Sequence, residues 1–199
     1  MSDLRLEVLT KPDDVTRVRP FWVAYQAAPS GDYDFLTTVV AGRANVFAPC
    51  VLAAFRNNEP VALLAGRMET SRIDARLGYA KLLAIPVRQM VVTAGGIIGQ
   101  HTDDVTKLFL AAMDGVLRDH KLDRALLEDL SPATVVHQPY IAWASQRWAI
   151  GETCDHWFGD LPATWDEFLK RRSQKHRYWL RRLPTVLEKK FPGQVRIET

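Results

Sequence analysis

The first part of the chain alternates between strand-like and helix-like spacing of apolar residues. Leu6 and Val8 are separated by polar residues, which predicts a short strand over 5–10 with one buried face. A helical spacing begins at Pro12, and Pro20 should kink or split that helix because proline lacks an N–H and clashes with the preceding turn. After a break at 29–31, a second helical face is formed by Phe35, Leu36, Val39, Val40 and Phe47.

The middle of the chain predicts mainly strands. The apolar runs 50–56 and 61–69 flank a turn-forming segment at 57–60, which indicates a hairpin. Because both runs are almost continuously apolar, we expect a sheet that is covered on both faces. Further strands are predicted over 78–85 and 88–93, with Pro86 between them, and a glycine-containing loop over 94–101.

The remaining elements are mostly helical. An amphipathic helix follows Thr102, and its apolar stripe consists of Val105, Leu108, Phe109, Ala112, Met113, Val116 and Leu117. A buried strand is predicted over 124–130, a helical stretch over 131–148 and a short strand over 156–161. Thr164 and Glu167 form a capping box, which opens a basic helix that Pro184 should kink. The last residues, 195–199, predict the beginning of a strand.

This order of elements indicates the fold class. Two helices follow the first strand, several antiparallel strands come next, and helices and strands then alternate. Such an order predicts an α/β or α+β protein in three layers, in which helices cover both faces of a mixed, mostly antiparallel sheet.

Composition limits the classes of function. The chain has 199 residues, of which 47% are hydrophobic, and a net charge of only +3. Nine Lys or Arg but one acid, Glu188, lie between Lys170 and Lys190, so acids elsewhere balance this segment. A dedicated binder of nucleic-acid backbone usually has a larger positive surplus. Cys50 and Cys154 lack C-x-x-C spacing, and no signal peptide or membrane-length apolar run is evident, so we expect a cytoplasmic protein.

Two cations in the basic segment occupy unexpected positions. On a wheel of a single helix, Arg172 and His176 fall in the middle of the apolar stripe, while most other cations lie on its flanks and back. The flanking cations are those of an ordinary solvated face. A cation is rarely buried without a partner, so we expect Arg172 to meet a carboxylate or to face a cleft. Together with Lys175 and Arg177, the two residues form a candidate site for an anionic group.

The element order resembles that of the GNAT acyltransferases. The segment TWDEFLKRRSQKHRYWLRR is also similar to that of CelD/BcsL-type acetyltransferases, a GNAT-related group linked to polysaccharide biosynthesis. The similarity lies in a Trp and a hydroxyl-led helix start, followed by a Ser-x-Lys-x-Arg…Arg-Arg run. That run here consists of Ser173, Lys175, Arg177, Arg181 and Arg182.

The resemblance implies a domain organisation and an activity. Residues 1–162 would form a GNAT-like N-terminal domain, and 163–199 would supply the basic helix and the start of a strand. That strand would lead into a second GNAT-like half that this chain lacks. The implied activity is direct transfer of an acyl group from acetyl-CoA or another acyl-CoA to an amine, such as that of an amino sugar. Without the second half, the chain alone could be inactive.

The resemblance also implies candidate site residues. Backbone N–H groups of Gly95, Gly96, Gly99 and Gln100 would hold the pyrophosphate of acyl-CoA at the start of the following helix. This stretch departs from the usual Arg/Gln-x-x-Gly-x-Gly/Ala pattern, and Asp103 and Asp104 would repel a pyrophosphate, so a plain glycine-rich turn is the alternative.

Candidate acid–base residues lie near the end of the predicted strand 124–130. Glu128, His137 and Tyr140 could take a proton from the acceptor amine or return one to the departing thiolate. Local pairing of Glu128 and core packing of Tyr140 are the alternatives. The five His and two Cys show no metal-ligand spacing, so no metal is expected.

Two other classes of function remain open. An inert GNAT-like half could serve as a docking module for a second domain or another copy of the chain. The basic segment could also bind nucleic acid, with Tyr178 and Trp179 stacking on bases. The modest net charge argues against the latter.

Overall fold

The computed structural model describes residues 4–146 and 162–193, except for the side chain of Arg76. The strands are β1 (Leu4–Leu9), β2 (Val46–Arg56), β3 (Glu59–Leu77), β4 (Ala80–Gly99) and β5 (Arg124–Leu127). The helices are α1 (Pro12–Thr16), α2 (Arg19–Tyr25), α3 (Tyr33–Gly42), α4 (Asp103–Asp119), α5 (His137–Ser145), α6 (Trp165–Lys170) and α7 (Gln174–Lys190). The chain divides into two compact units, Met1–Ile150 and Gly151–Thr199. The predicted domain organisation, with a boundary at residue 162, stays a prediction.

The strands of the first unit form one five-stranded sheet in the order β1-β2-β3-β4-β5. The first four strands pair antiparallel, whereas β5 pairs parallel to β4 after the crossover through α4. The predicted hairpin is present between β2 and β3, and its turn places Asn57 and Asn58 at φ values of 52° and 68°. Asn tolerates this left-handed backbone better than most residues.

Helices cover both faces of this sheet, as the continuous apolar runs predicted. Leu52, Ala54 and Leu64 point to the face covered by α4 and α5, where they pack with Phe109 and Tyr140. Their neighbours along the strands point to the opposite face, which α1, α2 and α3 cover. These neighbours include Val51, Ala53 and Leu63, all of them fully buried. The predicted fold class, a mixed and mostly antiparallel sheet between two helical layers, is therefore confirmed.

The predicted split of the helix that begins at Pro12 is confirmed, because this segment forms α1 and α2, with Pro20 in the first turn of α2. Several other predicted boundaries are wrong. Phe47 belongs to β2 rather than to the second predicted helix. The strand predicted over 124–130 ends at Leu127, and the helix after it begins only at His137. The predicted strands 156–161 and 195–199 lie outside the described residues.

The two strands predicted on either side of Pro86 are one continuous strand, β4. Pro86 pairs with Arg72 of β3 at a level where β5 has not yet begun. Proline is tolerated in a strand that has no neighbour on one side, because the missing N–H then leaves no acceptor unpaired. The predicted loop 94–101 is also wrong up to Gly99, which is the last residue of β4.

The basic segment of the second unit is two helices, not one. α6 ends at Lys170, and Ser173 caps α7 by accepting a hydrogen bond from the backbone N–H of His176 at 3.4 Å. The predicted cap at the start of α6 is present, because the Thr164 hydroxyl accepts from the N–H of Glu167 at 3.3 Å. Within the described ranges, no helix has the length and apolar character needed to cross a membrane.

Candidate functional site

Strand β4 leaves its regular pairing with β3 at Thr93. The register pairs Gly66 with Val92 and Leu64 with Ile97, so one residue of β3, Ala65, lies opposite four residues of β4. The hydroxyl of Thr93 donates to the carbonyl of Ala65 at 3.2 Å and closes this bulge. Bulges of this kind bend a strand and are frequent next to active sites.

Strand β5 ends beside the bulge. Its last pair is Leu127 with Val92, after which the N–H of Glu128 donates to the carbonyl of Val92 at 3.0 Å. Asp129 then adopts a φ of 51°, and the chain turns. In the described part of the chain, no strand pairs with this side of β4 beyond Val92. We call the segment formed by residues 92–96 and Glu128 the strand notch.

The glycines of the bulge pack against other backbone. Gly95 has a φ of 73°, and a Cβ added at Gly31 would lie 2.2 Å from the carbonyl oxygen of Gly95. The indole N–H of Trp22 donates to the carbonyl of Gly31 at 2.7 Å and holds this turn in place. The close approach of the two backbones therefore explains why small residues are needed here.

The predicted cofactor residues are consequently not in a loop at a helix start. Gly95, Gly96 and Gly99 belong to β4, and the N–H of Gln100 donates to the carbonyl of Val61 at 2.9 Å. Among these four, the N–H of Gln100 thus already has a protein acceptor. Whether any of them contacts acyl-CoA stays a prediction.

The N-terminus of α4 is acidic. Thr102 occupies the N-cap position, but its hydroxyl bonds to the side chain of Asp104 instead of to a helix N–H. This hydrogen bond is the main reason why the pKa of Asp104 is lowered, and Arg56 adds to the effect from 3.1 Å. Asp103 lies in the same turn. Negative charge at this position opposes binding of a phosphate group.

A network of polar side chains crosses three strands near the notch. Glu69 accepts from Arg67 and from Gln89, each at 2.7 Å, and Arg124 donates to Gln89 at 2.7 Å. Arg67, Glu69 and Gln89 are buried, with exposed fractions of 8%, 7% and 2%. Arg67 also reaches Glu128 at 3.5 Å. The network can hold the Glu128 carboxylate in a defined position at the edge of the notch.

Sequence reasoning missed Arg67, Glu69 and Gln89 as candidate residues. A signal was present, because Arg67 and Glu69 are two residues apart at the end of an otherwise apolar run and must share one face of the strand. Gln89 could not be joined to them from the sequence, since its partner Glu69 lies twenty residues earlier. The register of β3 and β4 brings the three together.

The predicted acid–base residues lie in the same part of the fold but are not hydrogen-bonded to one another. Glu128 follows β5, His137 begins α5, and Tyr140 lies one turn later. Tyr140 is 2% exposed, its hydroxyl has no hydrogen-bond partner among the described residues, and burial raises its pKa. The Nδ1 atom of His137 is also buried without a partner. A buried hydroxyl without a partner is uncommon and is consistent with a group that meets a ligand.

The predicted anion site in the second unit is exposed. Arg172 lies between α6 and α7, with its guanidinium 4.5 Å from the centre of the Phe168 ring, and His176 is in the first turn of α7. Lys175 is exposed as well, and Arg177 is half-buried. The expectation that Arg172 and His176 occupy a buried apolar stripe is therefore wrong, because the break at 171–173 ends the continuous helix on which it depended. Binding of an anion by these four residues stays a prediction.

The described part of the second unit contains a shallow basic concavity. It has a volume of about 350 Å³ and is lined by Asp166, Leu169, Lys170, Arg177 and Arg181. In the described residues, no group of three or more His, Cys, Asp or Glu side chains is arranged to hold a metal ion.

Comparisons with known proteins give structural similarity only. No protein-family model matches the chain, and no curated protein sequence matches it significantly. A ribosomal-protein-alanine N-acetyltransferase from Brucella melitensis biovar Abortus 2308 has 12% identity and a TM-score of 0.44, covering 79% of this chain and 99% of that one. An aminoglycoside N-acetyltransferase in complex with CoA has 13% identity and a TM-score of 0.44, covering 81% and 96%. An aminoglycoside acetyltransferase from an uncultured soil metagenomic sample has 14% identity and a TM-score of 0.41, covering 81% and 99%.

Proposed function

We propose that this chain is an N-acyltransferase domain that moves an acyl group from acyl-CoA to an amine. The observation that carries the proposal is the strand notch, where the bulge of β4 coincides with the end of the parallel strand β5. A strand edge that opens in this way offers backbone groups to an extended ligand. The pantetheine arm of CoA is extended and contains two amides, so it could pair with this edge as an additional strand would.

The side chains around the notch suit direct transfer. The acceptor nitrogen would attack the acyl carbonyl carbon, and the resulting tetrahedral intermediate would collapse with breakage of the C–S bond. Glu128, held by Arg67, would take the proton that the nitrogen loses. Tyr140 would give a proton to the departing thiolate. Because burial raises the pKa of Tyr140, its hydroxyl stays protonated at neutral pH and is able to donate.

The choice of acceptor, donor and cellular location depends on a resemblance in sequence. The segment from Thr164 to Arg182 resembles that of CelD/BcsL-type acetyltransferases. That resemblance supports an amino sugar or a similar metabolite as the acceptor, acetyl-CoA as the donor and the cytoplasm as the location. It also supports cooperation with a second GNAT-like domain. The exposed cations Arg172, Lys175 and His176, with the half-buried Arg177, would then be available to an anionic group of the acceptor or of that domain.

Binding and turnover of acetyl-CoA test the proposal. We expect isothermal titration to show binding of acetyl-CoA to the full chain, and a thiol assay to show CoA release that depends on an amino-sugar acceptor. The Tyr140→Phe variant should keep its melting temperature, because it removes a hydroxyl that has no partner among the described residues, while turnover falls by about 10²–10⁴-fold.

A matched control is available in the same unit. The hydroxyl of Tyr33 hydrogen-bonds to that of Thr16 at 3.2 Å, and its side chain packs with Trp22 on the other face of the sheet. Tyr33→Phe should therefore lower stability slightly and leave turnover unchanged. A full chain that neither binds acetyl-CoA nor releases CoA would show that the proposal is wrong.

A second candidate is a GNAT-like half without catalytic activity that serves as a docking module. The acidic start of α4 favours it, because Asp103 and Asp104 would repel the pyrophosphate of CoA. Replacing both with Asn separates the two functions. If the wild-type chain is folded but does not bind acetyl-CoA, and the double variant gains no binding, the docking function is the better description.

A further inference from the structure

The hairpin of β3 and β4 continues beyond the rest of the sheet. The last residue of β3 that pairs with β2 is Glu69, and the first residue of β4 that pairs with β5 is Gln89. Residues 71–87 therefore form a two-stranded ribbon, which we call the arm. With about 3.3 Å per residue, the arm is roughly 25 Å long. A two-stranded ribbon by itself is marginally stable in water.

The two faces of the arm differ in polarity. The register places Ile73 opposite Ile85 and Ala75 opposite Leu83, so these residues share one face, and Val87 and Leu77 extend it to the base and the tip. The other face contains Arg72 and the ion pair of Asp74 with Lys81 at 2.6 Å. The side chains of the first face are aliphatic or small, and its four large ones beyond the base are exposed. Their exposed fractions are Ile73 38%, Ile85 45%, Leu83 59% and Leu77 73%.

The tip adds more apolar surface. Gly78 and Tyr79 form the turn, in which Gly78 has a φ of 58°, and Tyr79 is fully exposed. Leu82 is the extra residue of a bulge and is 66% exposed. Exposed apolar surface of this extent on a polar-rimmed element is typical of an interaction site.

We propose that the apolar face of the arm packs against the same face of the arm in a second copy of the chain. The exposed apolar area of the arm supports a second copy of the chain as the partner. At on the order of 100–120 Å² of apolar area for a fully exposed aliphatic side chain, the four large residues of the face present roughly 240 Å², and Leu82 and Tyr79 at the tip raise the apolar area of the arm to roughly 450 Å². A standard interface buries about 800 Å² per partner, of which a little over half is apolar, so the face and the tip together supply the apolar area that a stable dimer needs, and the dimer contact includes both.

Shape and charge also select a second copy. The face is a strip only two strands wide with the twist of a hairpin, and another ribbon of equal width and twist covers such a strip along its whole length. A two-fold axis through this face would bring aliphatic residues together and leave Asp74 and Lys81 of both copies on the outside. Insertion of the tip into a membrane would engage Leu77, Tyr79 and Leu82 but would leave Ile73 and Ile85 in water. The arrangement does not depend on the proposed acyl transfer.

Sedimentation velocity and light scattering on the full chain over a wide range of concentration test the dimer. We expect the wild type to dimerise and the Leu83→Glu variant to associate about 100-fold more weakly, because it places two like charges in a desolvated contact. Arg72→Glu is the matched control, since it puts the same side chain at an exposed position on the polar face, and it should dimerise like the wild type.

Further outcomes decide against the proposal. A wild type that is monomeric at every concentration overturns it, and so does a dimer that Leu83→Glu leaves intact. Leu83-dependent binding of the monomer to phosphatidylcholine and phosphatidylserine vesicles, without dimerisation, would assign the arm to a lipid surface instead. Should Leu83→Glu fail to fold, Leu83→Thr keeps the strand propensity, removes the aliphatic contact and must still weaken the dimer.

Discussion

The inner and outer halves of the β3–β4 hairpin have the same secondary structure but opposite environments. In the inner half, Leu63 and Leu64 on successive positions are both fully buried, and a buried network joins Arg67, Glu69 and Gln89. In the outer half, the arm, an aliphatic face and a charged face are both exposed. The same hairpin therefore supplies a rigid frame for the notch at one end and a surface for association at the other.

The difference teaches how to interpret a strand pattern. Successive apolar residues indicate cover on both faces, as at 61–65, whereas alternation indicates cover on one face only. In the arm, alternation predicts a covered face, and the described residues of the first unit leave that face exposed. Paired substitutions, one in each half, measure how far the two environments differ.

The largest difference in stability between the two halves is expected when the cation of an ion pair is replaced by Met. Arg67→Met should lower the free energy of unfolding by about 3–5 kcal/mol, because the buried Glu69 loses its cationic partner. Lys81→Met breaks a solvent-exposed pair in the arm and should cost less than about 1 kcal/mol. Urea unfolding of both variants measures the contrast. The double variant Arg67→Met/Glu69→Leu should recover much of the loss, and equal losses for Arg67→Met and Lys81→Met would contradict the difference in burial.

Truncation of leucine should give a somewhat smaller contrast. Leu64→Ala creates a cavity between β3 and α4 and should cost about 3 kcal/mol. Leu83→Ala removes a side chain that is already 59% exposed and should change the stability of the monomer by about 0.5 kcal/mol or less. Thermal unfolding at low protein concentration keeps association out of the measurement. A large loss for Leu83→Ala under these conditions would mean that the arm packs within the single chain.

Two glycines provide the third comparison. A Cβ at Gly66 would lie 2.2 Å from the carbonyl oxygen of Val91, so Gly66→Ala forces the backbones of β3 and β4 apart beside the bulge and should cost about 2–3 kcal/mol. A Cβ at Gly78 meets nothing within 4 Å, so Gly78→Ala causes no clash. It should lower the free energy of unfolding by only about 1 kcal/mol, which is the strain of an alanine in the left-handed conformation. Denaturant midpoints report both. The reverse order would show that the bulge relaxes more easily than the turn.

The smallest effect is expected for the pH dependence of stability, to which His101 contributes where it contacts the inner half. His101 lies within 3.2 Å of the carbonyl of Leu63 and 3.1 Å of that of Ile98, and desolvation lowers its pKa below 6.5. As the pH falls below 6.5, the unfolded state takes up the proton first, so stability declines until the pH has passed through the lowered pKa of the folded state. His101→Gln should reduce this decline, whereas His176→Gln, at an exposed position, should leave it unchanged. Stability that rises on acidification through this range would refute the assignment.

The candidate site was predictable only in part. From the sequence, Glu128 could be placed near a strand end and Tyr140 in the helix after it, and the structure has both residues there. Their acid–base roles stay predictions. The break between α6 and α7 had a local signal in Ser173, whose hydroxyl caps α7, but a wheel drawn through the break concealed it. The role of Gly95 depended on Gly31, which is more than sixty residues away, and that of Gly96 depended on Ala65 of the neighbouring strand.

By itself, the sequence determined the alternation of elements, the hairpin of β2 and β3, the amphipathic α4 and the need for cover on both faces. These features follow from the spacing of apolar residues within a segment, which fixes the side that each residue faces. Only the tertiary structure decided the bulge of β4, the network around Glu69 and the continuation of β4 through Pro86 into the arm. Each of these depends on which residues of a distant strand lie opposite, and that register is a property of two segments packed together rather than of either segment alone.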